Sequence, residues 1–172
     1  MGIRVVAAPV TLTWNDFRPV PVLPDQSDED AQTATTLDRL SGIRPVSTQG
    51  GFSLPDLTLK VHLDRAQTMV VRTASKTQDL LKHEQGHYDI TVLTVRALAR
   101  EFEQLRADSP SALAQQLDRI RQLHQDRADA LEKKYDNDTN HGTNQRQQDN
   151  WNNEIDAAMR SSQVSTLKSL PL

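Results

Sequence analysis

Leu81, Tyr88, Val92, Val95, Ala99 and Phe102 recur at steps of seven, four, three, four and three, which is the spacing of one apolar stripe on an amphipathic helix. Ser75 with Gln78 reads as a capping box, Asp79 complements the helix dipole in the first turn, and Ser109-Pro110 blocks continuation at the far end. The pattern therefore predicts a long core helix over residues 76–106. Beyond Pro110, Leu113, Leu117, Ile120, His124, Ala128, Leu131 and Tyr135 keep steps of three and four and predict a second long helix. It is expected to end at Asp136-Asn137-Asp138-Thr139-Asn140-His141-Gly142, whose composition favours a turn. A third helix, capped by Asn144, carries Trp151, Ile155 and Ala158 on one face, and the tail over residues 163–172 is expected to be loosely ordered.

The first 75 residues lack helical periodicity and carry prolines, glycines and short β-rich runs, so three or four strands are expected there. Leu57, Leu59, Val61 and Leu63 alternate with Thr58, Lys60 and His62, the clearest strand in the chain. Val5-Val6, Leu12-Thr13-Trp14, residues 42–48 and Met69-Val70-Val71 are further candidates, with Gly50-Gly51 as a turn. Pro19, Pro21 and Pro24, followed by the acidic run over residues 25–30, read as an exposed, solvated loop. The fold expected is α+β: a small antiparallel or mixed N-terminal sheet packed on a long helix, with two further helices behind it, in one domain over residues 1–172.

Composition narrows the chemistry. A net charge of -3 and the lack of any Lys/Arg cluster interleaved with aromatics argue against nucleic-acid binding. No apolar run approaches the roughly 20 residues of a membrane span. Residues 5–10 are too short for a signal peptide, which leaves the compartment open: periplasmic or secreted if a leader was removed, otherwise cytoplasmic. Nothing in the pattern sets an oligomeric state. With no cysteine, any metal must bind through His, Asp or Glu.

Within the first helix stands His83-Glu84-Gln85-Gly86-His87, an H-E-x-x-H arrangement. Histidines four apart lie about 40° apart around a helix and about 6 Å apart along it, so both rings can reach one cation. They project onto a second, partly apolar face with Leu80, Ile90, Thr94 and Leu98. Glu84 is placed beside them to act on a water held by the metal. Gly86 costs about 1 kcal/mol of helix propensity, which makes sense if another element approaches the backbone there. Asp89 points away around the axis. This pattern predicts a zinc-dependent hydrolase acting on a peptide or protein, with a non-catalytic metal-stabilised or interaction domain as the alternative.

Catalytic zinc usually takes three protein ligands, so a third is needed. Glu101 and Glu103 lie about 20 Å or more along the same helix and cannot serve. His62 falls on the outward face of its strand, and His124 sits on an apolar stripe as a packed core histidine. His141, before Gly142 in a polar turn, is the foremost candidate, with Asp136 and Glu154 as carboxylate alternatives.

Three segments in order, Leu12-Thr13-Trp14-Asn15-Asp16-Phe17, Leu80-Leu81-Lys82-His83-Glu84-Gln85-Gly86-His87-Tyr88-Asp89-Ile90, and Tyr135-Asp136 with Thr139-Asn140-His141-Gly142, resemble domain of unknown function 922. That family is predicted to contain bacterial zinc-dependent proteases, often secreted. The resemblance implies a zincin-like fold, metal-site positions at His83, His87 and His141, Glu84 as the base, and Tyr135, Asp136 and Thr139 near the site. Tyr135, beside the expected ligand loop, is a candidate to stabilise an oxyanion. The chain departs from the family pattern at residues 72–76, which lack the tryptophan expected just before the metal helix.

Overall fold

Helix α1 spans Gln78–Gln104 in the computed structural model, which describes residues 2–24, 29–37 and 42–172. Its cap is Thr77, whose hydroxyl oxygen accepts the Leu80 N–H at 3.1 Å, two residues beyond the expected Ser75. Ser75 is occupied in a tight turn, its carbonyl accepting the Thr77 N–H at 2.8 Å. At the other end α1 stops short of residue 106 because Arg106–Ala107 leaves the helix to pair with a strand.

Helix α2 spans Pro110–Thr139, with Ser109 as cap and Pro110 opening the first turn, where its missing N–H costs nothing. It runs four residues into the segment expected to be a turn. Side-chain bonds offset the poor helix propensity there: Asp138 accepts from Lys134 at 2.8 Å and from the Trp151 indole at 3.0 Å, and Thr139 donates to the Tyr135 carbonyl at 2.7 Å. The turn then comes abruptly, with Asn140, His141 and Gly142 all at positive φ. Helix α3, Gln145–Arg160, starts at the expected cap, Asn144.

The N-terminal part forms three small sheets instead of one. Strands β1 (Ile3–Ala8), β2 (Arg18–Val20), β3 (Ala31–Gln32), β4 (Thr35–Leu37), β5 (Val46–Thr48), β6 (Gly51–Ser53), β7 (Leu57–Leu63), β8 (Met69–Val71) and β9 (Arg106–Ala107) follow in chain order. In the first sheet β7 is central, parallel to β1 and antiparallel to β4. In the second, β8 lies between β2, parallel, and β3, antiparallel. The third is β5-β6-β9. Leu12-Thr13-Trp14 is not a strand: the Asp16 carboxylate accepts the Thr13 N–H at 2.8 Å and its hydroxyl at 2.9 Å, which bends the chain into a 3-10 turn over Trp14–Asp16. Pro19 is accommodated because β2 is an edge strand. Within the acidic loop, residues 25–28 lie outside the described residues.

α1 is buried on two sides. Tyr88, Val92, Val95, Ala99 and Phe102 pack against Leu59, Val61 and Val70 of the sheets. Ile90, Leu93 and Ala97 pack against Leu131 and Tyr135 of α2 and Trp151 and Ile155 of α3. Ile90, expected beside the histidines, belongs to this second core. Residues 163–172 are not loose: β10 (Thr166–Leu167) and β11 (Leu170–Pro171) form a hairpin that buries Leu167 and Leu172 in the same core, and Arg127 donates to the Leu172 carbonyl at 2.9 Å. Among the described residues no helix is long and apolar enough to cross a membrane.

Because Leu167 is buried in a formed hairpin, Leu167→Ala should cost about 2–4 kcal/mol of stability in urea unfolding. The exposed Ser162→Ala should stay within about 0.5 kcal/mol. Equal stability of the two variants would show that the tail adds nothing to the core.

Candidate metal centre

One turn of α1 brings His83 and His87 onto the same side, with their Nε2 atoms 3.3 Å apart. His83 is 3% exposed, and its ring stacks on Tyr135 at 4.7 Å between centroids. Tyr135 also meets His87 edge-on at 4.9 Å. Behind His83 runs a buried chain of polar groups. Gln148 of α3 donates through Nε2 to the Tyr135 hydroxyl at 2.6 Å and to Asn152 at 2.9 Å, so its Oε1 is left to accept from His83 Nδ1 at 3.0 Å. The Tyr135 hydroxyl in turn donates to the His83 carbonyl at 3.1 Å. This puts the His83 proton on Nδ1 and turns the Nε2 lone pair toward the cleft.

Asp136 completes the group from α2. Its Oδ1 lies 3.3 Å from His83 Nε2 and 2.9 Å from His87 Nε2, yet it is buried and accepts no well-directed hydrogen bond. Three ligand atoms therefore converge on a common point instead of on each other's protons. The three lie within 4.8 Å of one another, and the arrangement could hold a metal ion. Ligands about 2.0–2.1 Å from a tetrahedral zinc stand roughly 3.3 Å apart, so the spacing fits that ion without rearrangement. Burial would raise the Asp136 carboxyl, but the two imidazoles beside it outweigh that and hold it well below the usual carboxylate range. Burial would lower His87, but Asp136, Glu84 and Glu132 overcome it and push the imidazole up to about 9. The same negative field favours a cation.

Glu84, 2% exposed, lines the cleft with its Oε2 held by the Thr33 hydroxyl at 2.6 Å. The cleft measures about 490 Å³ and opens between α1, α2 and the segment leading through β3. His141 stands at its rim. The side chain is 46% exposed, with Nδ1 2.9 Å from Glu29 and 3.9 Å from Asp136 Oδ1. Glu29, read from sequence as part of a solvated loop, is thus a wall of the site. Gly142 lets the turn close over α1: at φ +79 a Cβ there would come within 3.0 Å of His83.

Of the residues singled out from sequence, His83, Glu84 and His87 come together with Asp136, while His141 borders them. Tyr135 is fully buried beneath α1, and its hydroxyl, considered for an oxyanion, is occupied by the His83 carbonyl and Gln148. It positions the histidines instead. Glu154 lies elsewhere, paired with Lys168 at 2.6 Å, and Asp89 turns away to accept from Gln85 at 2.9 Å. His124 is buried 3.2 Å from Glu101, and His62 stays on β7 outside the group. The element expected to approach Gly86 is α2, since a Cβ on Gly86 would sit 2.2 Å from the Tyr135 hydroxyl. Gln148 escaped sequence reading, although a signal existed: it occupies the stripe of Trp151, Ile155 and Ala158, where a polar residue is out of place.

The family model described as "Bacterial protein of unknown function (DUF922)" matches residues 20–142, a span that contains every residue of the cleft except Thr143. No curated protein and no solved structure matches the chain.

Two outcomes follow. Gly86→Ala should destabilise the protein by about 1–3 kcal/mol through overpacking against Tyr135, despite a helix-propensity gain of about 1 kcal/mol. Stabilisation on thermal unfolding would contradict the close approach. Burial, then the charge of Asp156, raises Asp89 to about 6 against the pull of Gln85 and Arg96. A carboxyl raised in the folded state binds its proton better there than in the unfolded chain, so its contribution declines as pH rises through about 6. Asp89→Asn should therefore raise the unfolding midpoint at pH ~8 and have little effect at pH ~4. The reverse pH dependence would rule this account out.

Proposed function

We propose that this chain, which belongs to the bacterial DUF922 family, is a zinc-dependent peptidase of zincin-like type. The observation that carries this reading is the convergence of His83 Nε2, His87 Nε2 and Asp136 Oδ1 beside the buried carboxylate of Glu84, at the bottom of an open cleft. Two imidazoles and a carboxylate are a common donor set for catalytic zinc, whereas structural zinc is closed by four protein ligands. In this reading Asp136 takes the third position, and His141, the ligand the family resemblance implies, borders it.

His83, His87 and Asp136 would hold the zinc ion, whose chemistry there would be Lewis acidity toward a peptide carbonyl and a lowering of the pKa of water towards about 7. The protein's own groups do the rest. Gln148 accepts from His83 Nδ1, which leaves Nε2 as the nitrogen that faces the metal position. Tyr135 fixes both imidazole planes by contact. Thr33 orients the Glu84 carboxylate, which takes a proton from the attacking water and returns it to the departing amine.

The test is metal analysis together with peptide digestion. The protein should bind one zinc per chain, and Asp136→Asn should weaken that binding sharply. Glu84→Gln should keep the zinc and lose a factor on the order of 100 or more in hydrolysis of an unstructured peptide library read by mass spectrometry. If His141→Ala loses zinc while Asp136→Asn keeps it, the histidine is the third ligand. Equal cleavage by Glu84→Gln and the parent would sink the catalytic assignment. Stoichiometric zinc with no cleavage of any peptide would favour a metal-stabilised interaction domain.

A further inference from the structure

Two cavities lie end to end along α1. The metal cleft is floored by Leu80, His83, Glu84 and His87, and its neighbour, of about 650 Å³, by Thr91, Thr94, Val95 and Leu98. At about 100° per residue these positions fall within roughly 60° of one line, so they form a single helix stripe. α2 walls both cavities on one side, and the segment through β3 and β4 walls them on the other, with Thr33 and Glu132 common to the two. Where they meet, the Thr91 hydroxyl lies 3.2 Å from that of Thr35 and donates to Glu132 at 3.3 Å. From Leu80 to Leu98 the helix rises about 27 Å. That is the span of roughly eight residues of extended chain.

The two ends differ in chemistry. Glu29, Asp30, Asp79, Glu84, Glu132 and Asp136 stand on the wall of the metal end, and among the described residues no lysine or arginine does. The far end sets Leu37, Val95 and Leu98 among Thr91, Thr94 and Arg121, and is walled in part by His124, which is 3% exposed. His124 Nε2 faces Glu101, a residue outside the cavity, without a directed hydrogen bond, and Nδ1 has no partner among the described residues.

We propose that the two cavities form one substrate groove, which takes about eight residues of an extended peptide with basic side chains over the metal end and an apolar side chain against Leu37, Val95 and Leu98 in the far end. The proposal rests on the peptidase reading, because it names the substrate of that site. With Asp136 assigned to the metal and Glu84 to the base, Glu29, Asp30, Asp79 and Glu132 remain to repel an acidic peptide and attract a basic one, so the charge sets selectivity, while contact with Leu37, Val95 and Leu98 sets register.

The experiment uses the full chain carrying Glu84→Gln, which binds without turnover, and two fluorescein-labelled octapeptides. One has lysines in one half and leucines in the other, and the second has glutamates in place of the lysines. The lysine peptide should bind at least about tenfold more tightly. Ala128→Trp, which fills the far cavity, and Asp30→Lys, at the exposed rim of the metal end, should each weaken it by about tenfold while thermal unfolding stays cooperative. Equal affinity for the two peptides, or full displacement by an equal concentration of spermine, would overturn the proposal. So would undiminished binding by Ala128→Trp, or by Asp30→Lys if the tryptophan variant fails to fold. The two readings separate cleanly. A bound lysine peptide left uncut by zinc-loaded parent protein leaves the groove standing and removes the peptidase, whereas cleavage that neither variant alters removes the groove and leaves the peptidase.

Discussion

The contact between the Tyr135 hydroxyl and the backbone of α1 at Gly86 is the constraint on which the rest depends. Only a residue without a side chain lets α2 come so near, since a Cβ would sit 2.2 Å from the phenol oxygen. The phenol then slides beneath the helix, donates to the His83 carbonyl and lays its ring against both imidazoles. Adjacent residues on a helix point about 100° apart, so driving Tyr135 under α1 swings Asp136 toward the cleft side. One steric permission thus aligns two histidines and delivers a carboxylate to them.

Electrostatics then sets the character of the centre. Burial alone would push Asp136 toward its neutral form and His87 toward its own, yet each is held charged by the other. Paired charges in a partly buried place are tolerable because each compensates the other's loss of water. A divalent cation at the point where the three atoms converge would keep that compensation and satisfy the buried Asp136 Oδ1 as well.

Much of this was legible in the chain and some was not, for identifiable reasons. The apolar stripe of α1, the H-E-x-x-H spacing and the anomalous Gly86 are local patterns, and each appears where periodicity puts it. Asp136 was weighed only as an alternative because Asp, Asn and Thr in succession read as a turn. Tertiary bonds from Asp138 to Lys134 and Trp151 carried the helix through it. His141 stands out in the sequence because it sits before Gly142 in a polar turn; in the fold its backbone is left-handed and its Nδ1 lies 2.9 Å from Glu29 and 3.9 Å from Asp136 Oδ1. Strands β3 and β4, two and three residues long, are too short for any alternation to register, although β3 walls the cleft and β4 the cavity beside it.

Gln148 ties the state of the centre to the packing of α3. The residue that fixes the His83 ring lies 65 positions downstream of it, on a helix that touches both α1 and α2. As a ribosome extends the chain, both histidines and Glu84 emerge long before Gln148 does, and Asp136 also precedes it. Until α3 is made and packed, His83 lacks the side chain that holds its Nδ1.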